Sequence, residues 1–216
     1  MTRTLYGFWR SLAAFRVRAA MNLKGLDYRE VSIDLFNGEQ DLPAFRAINP
    51  MGAVPALVED DHPPLTQSLA IIEYLEEVHP APPLLPASPR ARAHCRALAL
   101  TVAADAHPLV TPRVRNYLDH VLKVDEPTKM AWIEHWSRTA LRALERQLVD
   151  APGPYCMGPS VTVADICLTT HVVGARLFKF DLAEFPTCVR IADACLALEA
   201  FARAHPLEQV GAPAAR

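Results

Sequence analysis

Over residues 1–80 the spacing of apolar positions switches from strand-like to helix-like and back. Thr4 to Phe8 is short, β-branched and aromatic, and predicts a strand. Ser11 to Lys24 carries apolar residues on a helical period and stops at Gly25, a residue suited to the left-handed position beyond a helix end. Tyr28 to Asp34 alternates again, giving a β-α-β unit. Pro55 to Glu59 predicts a third strand, His62 to Thr66 a short edge strand after a turn, and Ser68 to Val78 an amphipathic helix. The order β-α-β-α-β-β-α predicts a small mixed sheet with helices packed on it. Beyond residue 90 the pattern is that of amphipathic helices with no convincing strand, so the expected class is α+β.

Proline marks the change. HPAPPLLPASPR, His79 to Arg90, cannot be helix interior, because proline lacks the amide donor and fixes φ. The expected organisation is a first domain over residues 1–80, a linker over 81–89 and a helical domain over 90–216. With 216 residues, 51% of them hydrophobic and 21% charged, the chain is long enough to bury a substantial core. A net charge of -2 gives no electrostatic reason to expect nucleic acid or an anionic membrane as the main partner. No apolar run reaches the ~18 to 20 residues of a membrane span, and the N-terminus lacks the apolar core of a signal peptide, so a cytoplasmic protein is expected. Five cysteines without a C-x-x-C pair or a histidine at ligand spacing predict reduced, mostly buried thiols, with neither a disulfide framework nor a metal site.

Three stretches carry candidate chemistry. In NPMGAVPAL, Asn49 to Leu57, Pro55 stands where a strand begins. A cis Val54-Pro55 bond would turn the preceding amide and carbonyl out of the sheet, where they could pair with an extended peptide; a trans proline in a surface loop is the commoner state. In LTQSLAIIEYLEE, Leu65 to Glu77, a helix start offers Gln67, the Ser68 hydroxyl and open backbone amides to a carboxylate, the plain alternative being that Ser68 caps its own helix. Ser11 poses the same choice between helix cap and ligand contact. Together these features suit a small acidic peptide with a thiol. In ADAHPLVTPRVRNYL, Ala104 to Leu118, a histidine-proline kink precedes Arg113 and Arg115. Thr162 and Asp165 form an acidic variant of the capping box and read as structural. Trp132, Trp136, Phe178 and Phe180 fall at core-like helical spacing.

YGFWRSLAAFRVRAAMNLKGLDY, INPMGAVPAL and LTQSLAIIEYLEE together resemble the cytosolic glutathione transferases, and within them the zeta class, which includes the maleylacetoacetate and maleylpyruvate isomerases. The resemblance covers nearly the full length. It implies a thioredoxin-like N-terminal domain, an all-helical C-terminal domain, a homodimer, and glutathione as cofactor. By the same matching Val54 and Pro55 meet the cysteinyl backbone of glutathione, Gln67 and Ser68 its γ-glutamyl end, and Gln40 its glycyl end. Ser11 faces the thiolate, and His107 is a glutathione contact or proton-transfer candidate. Arg10, Arg113 and Arg176 would hold substrate carboxylates through their bidentate, permanently charged forks. Zeta-class relatives usually carry two serines and a cysteine in succession; here Leu12 and Ala13 follow Ser11, which is left as the only side-chain hydroxyl.

The chemistry implied is isomerisation of a cis-enedioate by reversible addition of the glutathione thiolate, with Ser11 and Arg10 as the catalytic pair. A hydroxyl and helix amides donating to sulfur would lower a thiol pKa that is ordinarily ~8.5. Conjugation, dehalogenation or peroxide reduction is the alternative within the same fold, and a non-catalytic binding module is the alternative outside enzymes.

Overall fold

The computed structural model describes residues 2–60 and 62–213. By its internal contacts the chain forms two compact units: one runs through Leu84 and takes in the segment from Ala197, the other spans Leu85–Leu196. The division falls between Leu84 and Leu85, and the C-terminal segment groups with the first unit rather than with the helices that precede it in sequence.

The first unit contains β1 (Arg3–Gly7), α1 (Leu12–Leu23), β2 (Arg29–Ser32), a short α2 (Pro43–Arg46), β3 (Ala56–Glu59), β4 (Leu65–Thr66) and α3 (Ser68–Val78). Its sheet runs in the order β2-β1-β3-β4, with β1 and β2 parallel and the other pairs antiparallel, as in a thioredoxin-like domain. The parallel β1-α1-β2 crossover buries α1 on the sheet, and Leu5, Val17, Met21, Leu57, Ile71 and Leu75 form the core there. Lys24 ends α1, with Gly25 at φ +64, a conformation a side chain would strain.

Two strands are shorter than the alternation predicts, for identifiable reasons. Asp34 accepts the Phe36 amide at 2.8 Å in a local turn that closes β2. Pro63 and Pro64 have no N–H for a ladder, so β4 begins only at Leu65. The C-terminal segment adds α9 (Glu199–Ala204), which packs on α1; Asn22 Nδ2 donates to the Ala200 carbonyl at 2.9 Å.

The second unit contains α4 (Pro89–Leu100), α5 (Pro112–His120), α6 (Glu126–Leu148), α7 (Val163–Leu177) and α8 (Pro186–Leu196). All residues from Val163 to Ala175 are buried, making α7 the central helix against which α4 and α8 pack. The capping box is formed: Asp165, 0% exposed, accepts the Thr162 amide at 2.8 Å and the Cys156 amide at 2.6 Å. All five cysteines are free and buried. Trp132, Trp136, Phe178 and Phe180 do not form core. They are half-buried, and the two tryptophans line an apolar groove of ≈ 580 Å³ along α6, while Phe178 and Phe180 stack at 5.6 Å. Helical period alone cannot tell a groove wall from a core wall. Among the described residues no helix is long and apolar enough to cross a membrane, and no cluster of His, Cys, Asp and Glu could hold a metal ion.

Candidate active site

Ser11 sits at the N-cap of α1, where its Oγ accepts the Ala14 amide at 3.1 Å. The cap reading of Ser11 is therefore realised. It does not consume the residue, since capping uses an oxygen lone pair and leaves the O–H to donate elsewhere. The residues leading to it are held from below. Arg18, 0% exposed, donates Nη1 to Glu30 at 2.8 Å, Nε to the Ala204 carbonyl at 3.1 Å and, more weakly, Nη2 to the Trp9 carbonyl at 3.4 Å. Burial lowers the Arg18 pKa and raises that of Glu30, while the charge of each opposes the shift of the other. Tyr28, half-buried beside Glu30, is pushed up to about 12 by desolvation and by the Glu30 charge. Gly7 admits this network, because a Cβ there would lie 2.3 Å from Glu30 Oε1. Arg10 is half-buried, with its guanidinium 6.0 Å from the centre of the Trp9 ring, and desolvation lowers its pKa.

The Val54-Pro55 bond is cis. The β1-β3 and β3-β4 ladders end at Ala56, so Val54 lies outside both registers, with its backbone beside the sheet rather than in it. Gln67 precedes α3 at φ +68, and Ser68 is the first residue of the helix. Ser68 is not its own helix's cap. Its Oγ, in a side chain buried to 6% exposure, accepts Arg16 Nε at 3.0 Å, and Arg16 is itself only 2% exposed. Gln40 lies in a short helical turn, Glu39–Asp41, where its Nε2 donates to Asp41 at 3.1 Å. Ser11, Val54, Pro55, Gln67 and Ser68 are thus all placed at the edges of β1, β3 and the first turns of α1 and α3. Arg16 is the neighbour that pattern reading missed; on a helical period it looks like a solvent-facing charge.

In the second unit the expected kink takes a specific form. Pro108 has no amide to continue the helix, and the chain passes through a π-helical turn, Thr101–Ala106, into a 3₁₀ turn, His107–Val110. His107 stands at that junction, half-buried. Arg113, in the first turn of α5, is exposed; Arg115, two residues on, lies with its guanidinium 5.6 Å from the Phe178 ring centre. Arg176 is exposed near the end of α7 and pairs with Asp193 at 2.7 Å. The three arginines of the carboxylate set therefore stand in different surroundings: Arg10 is desolvated, Arg113 is open to solvent, and Arg176 is held by a surface carboxylate.

A family model for the glutathione S-transferase N-terminal domain matches residues 5–83. The probable maleylacetoacetate isomerase of Vibrio cholerae serotype O1 is 42% identical over 211 residues, covering 97% of this chain and 98% of that relative. The chain belongs to the zeta class of the glutathione transferases. The crystal structure of maleylacetoacetate isomerase from Methylobacterium extorquens AM1, with bound malonate and glutathione, is 51% identical and superposes with a TM-score of 0.95, covering 98% of this chain and 100% of that one. The maleylacetoacetate isomerase of Anaeromyxobacter dehalogenans 2CP-1, holding dicarboxyethyl glutathione and citrate in its active site, is 39% identical with a TM-score of 0.87 and 98% coverage of both chains. As a zeta-class glutathione transferase the chain has the expected α+β fold, and it carries Leu12 and Ala13, both half-buried, directly after Ser11.

Proposed function

We propose that the protein is a glutathione-dependent cis-trans isomerase of a cis-enedioate, maleylacetoacetate or maleylpyruvate. The observation that supports this most is Ser11: a hydroxyl at the open first turn of α1 whose oxygen already accepts from Ala14, so that its proton is available to an anion. The residues around it fit a small acidic peptide. Ser68 and the first amides of α3 offer donors to a carboxylate, and the Val54 backbone lies beside the sheet, outside its ladders. When bound, glutathione supplies a thiolate that adds reversibly to the cis double bond, so that rotation and elimination give the trans product with the thiol regenerated.

The chain's own part is binding, orientation and charge. Ser11 and the α1 amides hold the sulfur as its anion. Gln67 and Ser68 take the γ-glutamyl end, Val54 and Pro55 the cysteinyl backbone and Gln40 the glycyl end. His107 contacts glutathione or moves a proton. Arg10, Arg113 and Arg176 take the substrate carboxylates and oppose the negative charge that develops on the substrate oxygen. In this reading the protein is a cytoplasmic homodimer whose other ligand is a small acidic electrophile; sedimentation of the purified protein tests the dimer.

The assay is incubation with maleylpyruvate and glutathione. Trans product at constant glutathione concentration is expected; product formed only with stoichiometric loss of thiol would overturn the isomerase reading. That second outcome belongs to conjugation; the apolar pair Leu12 and Ala13 beside Ser11 favours conjugation or dehalogenation, and a chlorinated electrophile offered in the same assay reads dehalogenation by the halide it releases. Failure to retain glutathione at all would point to a non-catalytic module.

A further inference from the structure

Ser68 is assigned above to a carboxylate, but what it can do there is set from another helix. Arg16, in the second turn of α1, donates Nε to Ser68 Oγ at 3.0 Å, with both side chains buried. A hydroxyl has one proton to give and lone pairs with which to accept. The Arg16 bond occupies a lone pair and repels the hydroxyl proton, so Ser68 is turned into a donor aimed away from the guanidinium. Such a bond from a charged group also polarises the O–H it accepts through, strengthening its onward donation. The guanidinium further adds positive charge at the end of α3 that already carries the positive pole of the helix, a combination suited to an anion.

We infer that Arg16 is a positioning residue for the γ-glutamyl carboxylate of glutathione: its hydrogen bond fixes Ser68 as a donor and directs that donor to the anion. The inference rests on the glutathione reading above and extends it to a residue that touches the ligand only through Ser68.

The test is equilibrium binding of two probes, glutathione and its analogue with the γ-glutamyl carboxylate converted to the carboxamide. The proteins are wild type, Arg16→Gln, Arg16→Lys, Ser68→Ala and the Arg16→Gln/Ser68→Ala double variant, each checked for folding by circular dichroism. Arg16→Gln is expected to weaken glutathione about ten-fold or more, the loss typical of a hydrogen bond to a charged group. Its preference for glutathione over the carboxamide should fall to within about two-fold, because the charge-directed donor is gone. The double variant should bind no more weakly than Ser68→Ala alone, and Arg16→Lys should recover part of the preference. A role in packing alone would weaken both probes equally and add to the Ser68→Ala loss, and either result overturns the inference. So does failure of both Arg16 variants to fold, which would assign the residue to the fold. A wild type that binds neither probe would instead remove the glutathione reading.

Discussion

Lys24 offers a stringent test of how the first unit is held together. Its ammonium has three hydrogens and three acceptors: Glu76 Oε2 at 2.7 Å, the His79 carbonyl at 2.7 Å and the Pro82 carbonyl at 3.0 Å. The Lys24 side chain is 0% exposed and that of Glu76 8%. Glu76 in turn accepts the Leu84 amide at 3.0 Å, so one buried pair secures the end of α3 and the start of the proline-rich segment together. Lys24→Met takes the cation from a buried carboxylate and from two carbonyls, and is expected to cost about 3–5 kcal/mol. For a chain of this size that corresponds to a fall in Tm of about 6–20 °C. Removing both charges in Lys24→Met/Glu76→Leu cancels the largest penalty but leaves the His79 and Pro82 carbonyls and the Leu84 amide short of partners, at about 1–3 kcal/mol each. The loss in the double variant should therefore be smaller than the sum of the two single losses, by a coupling of about 0.5–3 kcal/mol. Urea unfolding, followed by Trp9 fluorescence in a Trp132→Phe/Trp136→Phe background, reads the first unit alone. A Lys24→Met midpoint within about 1 kcal/mol of wild type, or single losses that simply add, would refute the reasoning.

Ser11 separates its two roles by substitution: Ser11→Gly keeps most of the capping stability, to within a few tenths of a kcal/mol, whereas Ser11→Ala loses about 1 kcal/mol. Both should raise the pKa of bound glutathione, read from thiolate absorbance against pH, and an unchanged titration in both would remove Ser11 from the chemistry. Gly7→Ala drives a Cβ into the Glu30 carboxylate held by Arg18 and should destabilise by about 1–3 kcal/mol in chemical denaturation. Arg176→Ala breaks only an exposed pair with Asp193, so its stability cost is under about 1 kcal/mol, while KM for maleylpyruvate should rise; unchanged KM and kcat would remove its assigned role. Glu145 is pushed up by burial, but the amides of Thr187 and Cys188, each at 2.9 Å, bring its pKa below the ordinary carboxylate value. Its contribution is therefore fully present above the unfolded-state pKa and lost as pH falls through the lower folded-state one. Glu145→Gln should be less stable than wild type at neutral pH, with the gap in urea midpoints closing in acid.

What was legible in the sequence follows from which forces are local. α1 and α3 are read almost to the residue because period, caps and Gly25 act within one helix, and the helix-free stretch between α3 and α4 because proline is kept out of helix interiors, although Pro89 itself opens α4 rather than standing before it. Ser11, Gln67 and Ser68 stand out in the sequence for the same reason, since each lies at a helix start and such positions have residue preferences, whereas Val54 lies two residues before β3 and is marked by the proline that follows it. Arg16 and Arg18 escape such reading. Two arginines in FRVRAA look like the polar face of an amphipathic helix, yet every residue of α1 from Ala14 to Met21 is buried. What permits this is supplied from far along the chain, by Ser68 for Arg16 and by Glu30 and Ala204 for Arg18. The π-helical turn before His107 is equally silent, since TVAADA differs little from ordinary helix and only Pro108 beyond it signals a break. Both omissions concern the groups that hold the candidate site residues rather than those residues themselves. A terminus can be recognised from its own amino acid, whereas the donor that decides whether a serine gives or accepts a proton belongs to another helix and enters only when the chain has folded.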